Sequence, residues 1–313
     1  MAQDLRSKRG LVFAVDETAT HDGPGLRMTV YLKGCPLRCI WCHSPESISP
    51  RPEVVWYRAR CLRCGRCGEV CPEGLRTFKP VDPRDWGRCR LCGKCVEACP
   101  ADALEIKGAE VAAWEIVEHA VRISPFLRRS GGGVTLTGGE PTLQADFSYA
   151  ILALCRENGI HTAVETCGYA PWEKLEKLAS VTDLFLYDLK HPDEEEHRRL
   201  TGASNRRVLE NLRRLTRLRV GIVVRVPLIP GCNDSPEVVR AIGRTAFELG
   251  VDRMSLLPFN PASAGKYSWF HRAYPLGSVK RQSDGYVAQL EEMLRKEGME
   301  IVPWRRPRSP KRP

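Results

Sequence analysis

Short runs of apolar and β-branched residues recur along this chain at 27–33, 134–137, 162–166, 184–189, 221–228 and 254–257. Such runs, with little polar alternation, are the pattern of parallel strands buried on both faces. Between them lie segments with apolar residues at helical spacing: 112–123, 147–158, 172–179, 207–218, 237–249 and 286–296. Several are closed by a glycine, such as Gly159, Gly250 or Gly298, as helix C-termini are. Strand and helix alternate six times, which predicts an α/β fold, a parallel barrel or partial (β/α)6 barrel with its chemistry at the C-terminal ends of the strands. One connection breaks the rhythm. Residues 34–111 separate the first strand from its helix, and they hold eleven of the fourteen cysteines.

Three of those, Cys35, Cys39 and Cys42, follow the first strand directly in the spacing C-x3-C-x2-C. Three thiolates hold a cubane iron–sulfur cluster by three irons and leave the fourth open to a substrate, whereas a fully ligated cluster only relays electrons. A zinc site with a further ligand is the plainer alternative, but zinc sites more often pair two C-x2-C hooks. The spacing resembles the signature of radical S-adenosylmethionine (SAM) enzymes. That resemblance implies that the amine and carboxylate of SAM occupy the open iron.

The other eight cysteines form two runs, each spaced C-x2-C-x2-C-x3-C-P: Cys61, Cys64, Cys67 and Cys71-Pro72, then Cys89, Cys92, Cys95 and Cys99-Pro100. This is the two-cluster ferredoxin pattern, in which the fourth cysteine of each run ligates the other cluster. Cys61, Cys64, Cys67 and Cys99 are therefore expected to hold one [4Fe-4S] cluster, and Cys71, Cys89, Cys92 and Cys95 the second. A disulfide framework or paired zinc knuckles are the alternatives. Against them, no signal-peptide pattern opens the chain and a duplicated C-P run is rare outside ferredoxins. The expected organisation is the start of the barrel with its cysteine loop over 1–51, a ferredoxin-like insert over 52–107, the rest of the barrel over 108–304 and a basic, disordered tail over 305–313. Cys155, inside a helical pattern, is expected to pack in the core.

Charge changes this picture little. The 313 residues carry a formal net charge of +10, which alone would suggest nucleic acid or an acidic partner. Two four-thiolate clusters at about −2 each and one three-thiolate cluster at about −1 would lower it to roughly +5, so no nucleic-acid partner is expected. No apolar run approaches the roughly 20 residues of a membrane span. The composition, 42% hydrophobic and 27% charged, suits a cytoplasmic enzyme.

Motifs at the ends of the later strands extend the resemblance over nearly the whole chain. They are Asp22-Gly23-Pro24-Gly25-Leu26-Arg27, Thr137-Gly138-Gly139-Glu140-Pro141, Glu165-Thr166-Cys167-Gly168-Tyr169, Tyr187-Asp188-Leu189-Lys190, Thr201-Gly202-Ala203-Ser204-Asn205 and Val224-Arg225-Val226-Pro227-Leu228-Ile229-Pro230-Gly231. With them and the cysteine-rich insert, the chain resembles the long form of the glycyl radical enzyme activating enzymes. The resemblance implies three [4Fe-4S] clusters, SAM and, in some members, a monovalent cation. It implies a glycyl radical enzyme as protein partner and a ferredoxin or flavodoxin as electron donor. The implied reaction is reductive cleavage of SAM, followed by abstraction of a glycine Cα hydrogen from the partner by the 5′-deoxyadenosyl radical. A radical SAM enzyme acting on a small molecule or another peptide is the second reading. A non-catalytic iron–sulfur electron carrier is the remote one, since relay needs neither an open iron nor six β/α units.

Residue by residue, the resemblance places the SAM amine at the strand edge of Gly138 and Gly139, where missing side chains let backbone approach a ligand, and Glu140 orients that loop within the cofactor site. Asp188 and Lys190 share a strand face by the period of two. In the family the aspartate and the preceding acid-Thr pair help hold the methionine carboxylate; Thr166 is carried over, while Glu165 stands where many members have aspartate. Lys190 and Asp22 join Cys35, Cys39 and Cys42 in the catalytic set. Arg225 lies in an apolar strand and must be paired if buried, either by a ligand carboxylate or in a structural salt bridge. Trp41 and His43 flank the last cluster cysteine, in position to sit beside the adenine, and shielding of the cluster is the other reading of Trp41. Asp22 either caps its turn or accepts hydrogen bonds from the partner's glycine loop. Two departures stand out: Ser44 in Cys42-His43-Ser44-Pro45 where the family commonly has asparagine, and Leu257-Pro258-Phe259-Asn260 in place of a frequent Leu-Pro-Tyr-His. Neither touches a cluster ligand.

Overall fold

Each predicted strand alternates a side that helices cover with a side that turns inward, and this alternation sets the architecture. The computed structural model describes residues 2–75 and 88–303; the expected tail 305–313 and the middle of the insert, 76–87, lie outside them. In chain order the strands are β1 (Arg9–Ala19), β2 (Arg27–Leu32), β3 (Glu53–Trp56), β4 (Leu104–Lys107), β5 (Ala109–Ala112), β6 (Gly133–Gly138), β7 (His161–Thr166), β8 (Leu184–Asp188), β9 (Gly221–Leu228), β10 (Arg253–Pro258) and β11 (Glu300–Ile301). Nine form one sheet in the order β11-β10-β9-β8-β7-β6-β2-β1-β5, and β3 and β4 pair separately. From β2 to β10 all neighbours are parallel. This is the expected six-unit partial barrel.

The outward strand residues Met28, Val30, Val134, Leu136, Val164, Phe185, Val224 and Leu256 are buried in one core with helix residues such as Val117, Ile151, Leu178, Leu212, Ile242 and Leu290. Burial of each such aliphatic side chain is worth roughly 1.5–3 kcal/mol. The inward faces carry a gradient. Ala163, Leu184, Leu186 and Val223 form a small apolar cluster within, whereas Thr137, Glu165, Asp188 and Arg225 occupy the inward positions nearer the C-terminal ends.

The edge differs from expectation. β1 precedes the first predicted strand and pairs antiparallel with β2, and β5 pairs antiparallel with β1, so the sheet is mixed. Residues 14–18 of β1 are solvent-exposed, and such an edge lacks the apolar run that identifies a buried strand. The first helix after the insert runs Ala113–Arg129, past Pro125, with Leu127 buried, rather than ending at 123. Two further helices, Glu194–Thr201 and Ser263–Trp269, fall where no helical period was read. The stretch expected as an insert begins and ends on the β3–β4 pair, with Glu53 opposite Lys107 and Trp56 opposite Leu104. Cys155 is fully buried in the main core, as its helical position predicts. Among the described residues, no helix is long and apolar enough to cross a membrane.

Candidate active site

Strand β2 delivers the cysteine loop to the mouth of the barrel. Gly34, at φ +95°, turns the chain out of β2, and its N–H donates to the Ser47 carbonyl at 2.7 Å. The loop is then braced by the end of helix Glu194–Thr201: Arg38 N donates to the Thr201 carbonyl at 2.7 Å and Ile40 N to the Leu200 carbonyl at 3.1 Å. This gives the Thr201-Gly202 motif a physical role. Gly202 lies under Arg38, with the position of an added Cβ 3.5 Å from that of Arg38.

The second brace is the Gly138-Gly139-Glu140 turn. Gly139 N donates to the Leu32 carbonyl and Glu140 N to the Gly34 carbonyl, at 2.8 and 2.7 Å. A Cβ on Gly139 would stand 1.9 Å from the Gly34 oxygen, and one on Gly138, at φ +97°, 2.6 Å from Leu32 N. The glycines therefore let two backbone segments of this chain approach one another, and both also line the cavity described below. Glu140 is fully buried. Its Oε1 accepts from Thr142 N, Thr142 Oγ1 and Thr166 Oγ1 at 3.1, 2.8 and 2.8 Å, and its Oε2 accepts from Cys167 N at 2.8 Å. It ties the β6 turn to the end of β7. Its carboxylate stands behind the wall of the cavity rather than in it.

Cys35, Cys39 and Cys42 open onto one cavity of about 600 Å³ at the C-terminal ends of the strands, together with Asp22, Trp41, Gly138, Gly139, Glu165, Thr166, Asp188, Lys190 and Arg225. That volume is within the range of small-molecule sites. Asp188 Oδ2 and Lys190 Nζ are 2.6 Å apart. Burial pushes the Asp188 carboxyl up from its usual range. Burial works against the Lys190 charge too, but Asp188, Cys39 and Cys167 together outweigh it and hold the amine above its usual range. Arg225 Nη1 lies 3.4 Å from Glu165 Oε1 and 4.0 Å from Asp22 Oδ1, yet its buried Nε and Nη1 make no hydrogen bond. Glu165 Oε2 accepts from Thr137 Oγ1 at 2.7 Å. Asp22 Oδ2 accepts from Thr29 Oγ1 at 3.0 Å and Tyr31 O–H at 3.4 Å. Its carboxyl is pushed up, first by burial and then by Glu165.

Trp41 is buried against Leu200, Ile229 and Phe259, with Cys39 at the edge of the cluster, a placement that favours the shielding role. Burial pushes the thiols of Cys39 and Cys42 up to about 12 and about 11. A hydrogen bond from Cys167 lowers Cys35 instead. Cys167 and Asn233 were given no role from sequence. Cys167 packs with Leu37 against Cys35. Asn233 is fully buried and donates to the Lys190 and Pro227 carbonyls at 2.7 and 2.8 Å, fixing the end of β8 to the loop after β9. Tyr31 and Thr137 were also missed as wall residues; period-two counting along β2 and β6 is the signal that would have found them.

The insert repeats a local geometry. Short helices Arg66–Glu69 and Lys94–Glu97 each follow a left-handed glycine, Gly65 and Gly93. Leu75 N donates to Cys71 Sγ at 3.4 Å and Ala103 N to Cys99 Sγ at 3.3 Å. Cys71, Cys89, Cys92 and Cys95 line one small cavity, so the structure brings together the fourth cysteine of the first run and three of the second. Cys61, Cys64 and Cys67 lie around the Gly65 turn, with Cys61 and Cys67 half-buried and Cys64 exposed. Among the described residues, no three His, Cys, Asp or Glu side chains converge as ligands of one metal ion. Cubane ligands each take a separate iron and need not converge; the monovalent cation gains no such support.

A parallel partial barrel with three thiols and an ionic cavity at its C-terminal mouth defines an enzyme of the β/α-barrel class, built to hold a cofactor at that end. The chain belongs to the radical SAM superfamily, whose family pattern matches residues 29–242, and within it to the glycyl radical enzyme activating enzymes. It is 44% identical to the isethionate sulfite-lyase activating enzyme of Oleidesulfovibrio alaskensis, over 86% of this chain and 90% of that one. It is 38% identical to the choline trimethylamine-lyase activating enzyme of the same organism, over 92% and 96%. The fold is also that of Streptococcus suis SuiB bound to precursor peptide SuiA, with a TM-score of 0.51 at 16% identity, covering 88% of this chain and 48% of that one.

Proposed function

We propose that this chain activates a partner glycyl radical enzyme, using SAM and an open-iron cluster held by Cys35, Cys39 and Cys42. The observation that carries the reading is one cavity in which those three thiols face Asp188, Lys190 and Arg225. The residues fit the absent groups. Three thiols on one loop match a cluster with one free iron. The buried Nε and Nη1 of Arg225 lack hydrogen-bond partners, a vacancy that a carboxylate such as that of SAM would fill. When bound, the cluster and SAM supply a one-electron reductive cleavage that yields methionine and a 5′-deoxyadenosyl radical, the species that takes a hydrogen atom from a glycine Cα.

The protein's own residues position and protect. Asp188 and Lys190 hold each other at the cavity wall, and Gly138 and Gly139 present bare backbone to the amine. Four carboxylates, Asp16, Asp22, Glu165 and Asp188, line the cavity against two cations, Lys190 and Arg225, which leaves the wall two negative charges in excess when all are ionised and favours a sulfonium. Trp41, Ile229 and Phe259 keep water from one side of the cysteine loop. In the insert, Cys71 beside Cys89, Cys92 and Cys95 supports crossed ligation and hence three clusters in all, fed by a ferredoxin or flavodoxin in the cytoplasm, where thiols stay reduced.

The test is anaerobic reconstitution of the full chain. About twelve irons are expected. Mixing with SAM, reductant and the glycyl radical enzymes whose activators it resembles should produce a glycyl radical in one of them, read by electron paramagnetic resonance. Formation of 5′-deoxyadenosine with no glycyl radical in any of these partners would move the assignment to a small molecule or another peptide.

A further inference from the structure

The duplicated cysteine runs give an internal comparison that singles out one face of the insert. Arg63 and Leu91 occupy equivalent places, and their backbones match at φ +55° and +54°. In the second run Leu91 packs inward with Val54, Cys95 and Leu104, and Arg90 is paired with Glu73 at 2.6 Å. In the first run both choices are reversed. Leu62, equivalent to Arg90, is 70% exposed, and Arg63, equivalent to Leu91, points into solvent. The run thus gives up inward packing and displays an apolar side chain beside a cation.

The surroundings extend that display. Arg58, Arg60, Arg63 and Arg66 are all exposed, with no acidic residue anywhere in 58–66. Arg58 and Arg60 lie over the rings of Trp56 and Tyr57, at 5.0 and 4.8 Å, and Arg60 donates to the Asp102 carbonyl at 3.4 Å. Arg60 senses the carboxylate of Glu105, which is already held by Lys107 at 2.7 Å and Tyr57 at 2.5 Å. In the chain Cys64 stands between Arg63 and Arg66, and it is itself exposed. None of these residues lines the barrel cavity.

We infer that Leu62 and the exposed arginines Arg58, Arg60, Arg63 and Arg66 form the docking surface for a small acidic electron-carrier protein, which delivers its electron at the edge of Cys64. The inference rests on the proposed cluster of Cys61, Cys64, Cys67 and Cys99. The step is a transfer of one electron: the carrier is oxidised by one, the cluster is reduced by one, and no atom moves. A cluster edge at the surface suits electron entry, since exposure is one of the levers on such centres. Four cations steer an acidic partner and choose it over basic ones. An exposed apolar side chain in a stretch rich in cations suits the small interfaces of redox encounters, below about 1,200 Å². The glycyl radical partner must instead present its glycine at the barrel mouth.

The test uses the full, cluster-loaded chain with two probes, a reduced flavodoxin and a reduced bacterial ferredoxin, and follows cluster reduction by stopped flow at low and high salt. With at least one carrier, the unaltered enzyme should slow roughly tenfold or more as salt rises, because screening shortens the reach of the arginines. The variant Arg58→Glu, Arg60→Glu, Arg63→Glu, Arg66→Glu should be at least about tenfold slower at low salt and nearly insensitive to salt. Its iron content and the spectra of its clusters after dithionite reduction should match the unaltered enzyme, which separates lost docking from lost folding. Equal rates for variant and unaltered enzyme with both carriers would overturn the inference. So would a variant that keeps carrier rates but loses affinity for the glycyl radical enzyme, which would give the surface to that partner. Iron counted on the unaltered protein distinguishes the two levels: about four irons would remove the insert clusters, and docking with them, whereas about twelve with unchanged carrier rates would remove docking alone.

Discussion

Glu140→Gln isolates the brace between the β6 turn and the cysteine loop. The substitution keeps size and shape but replaces one acceptor oxygen with an NH2 group. If nitrogen takes the Oε2 place it faces the Cys167 N–H, and if it takes the Oε1 place it faces the Thr142 N–H. In either orientation a buried backbone donor loses its acceptor. A lost hydrogen bond to a charged group costs about 1.5–3 kcal/mol and a stranded buried donor about 1–3 more, so about 3–5 kcal/mol is expected after partial relaxation. At about 2 °C per kcal/mol for a chain of this size, the metal-free protein should melt roughly 6–10 °C lower, followed by circular dichroism. SAM cleavage should fall on the order of a hundredfold, because the loop that carries Cys35 rests on this turn and small misplacements cost that much. A melting temperature within about 2 °C of the unaltered protein, together with lost SAM binding, would refute the reasoning and make Glu140 a direct cofactor contact.

Replacing Cys35, Cys39 and Cys42 together by alanine should remove about four of about twelve irons and abolish 5′-deoxyadenosine formation; retained formation would mean the active cluster is elsewhere. Cys71→Ala should perturb the spectrum of the cluster held by Cys89, Cys92 and Cys95, as their shared cavity implies, and loss of the cluster of Cys61, Cys64 and Cys67 instead would mean uncrossed ligation. Asp22→Asn should keep iron content and uncoupled SAM cleavage while lowering the yield of glycyl radical, whereas equal loss of both would make Asp22 structural. The metal-free protein should lose stability as pH rises. The folded thiols of Cys39 and Cys42 titrate at about 12 and about 11 against an ordinary value of 9.0, so their contribution is fully present below pH 9 and falls by about 1.4 kcal/mol per group per pH unit above it. Flat denaturant midpoints from pH 8.5 to 10.5 would contradict that.

Strands buried on both faces were legible because burial demands continuous apolar runs, and β2 and β6 to β10 meet that demand. β1 was not, because half its length faces solvent and its residues 14–18 resemble a loop. Spacing along the chain was enough to group the cysteines, and the structure brings Cys35, Cys39 and Cys42 to one cavity and Cys71, Cys89, Cys92 and Cys95 to another. What holds those sets in place was less legible. Asn233 ties the nearby backbone of Ile229 and Pro227 to the Lys190 carbonyl, 43 residues earlier in the chain, and no local pattern announces that distant contact. Glu140 was legible as a residue that orients its loop, but its partners Thr166 and Cys167 come from the next β/α unit. Gly139 was read as an approach to ligand, and its tightest neighbour is the Gly34 oxygen of the same chain.

Asp22 ties these observations together. Its turn lies just before β2, and a capping role would direct its carboxylate at turn amides. Instead Oδ2 is held by Thr29 and Tyr31, both on the inward face of β2, and the Asp22 carbonyl accepts from Thr135 Oγ1 at 2.7 Å. Those contacts fix the residue from the sheet side. Oδ1 is left toward Arg225 at 4.0 Å, too long for a hydrogen bond. Arg225 in turn has Glu165 at 3.4 Å and two nitrogens without acceptors. The wall therefore holds a carboxylate and a guanidinium close enough to compensate each other's burial, while the guanidinium keeps two buried nitrogens without a hydrogen bond. A buried pair left in that state is costly on its own, and the cost is recovered when polar groups arrive from outside the chain. A cofactor carboxylate would supply the acceptors that Arg225 lacks, and a peptide N–H arriving at Asp22 beside it would then couple cofactor binding to acceptance of the partner's glycine.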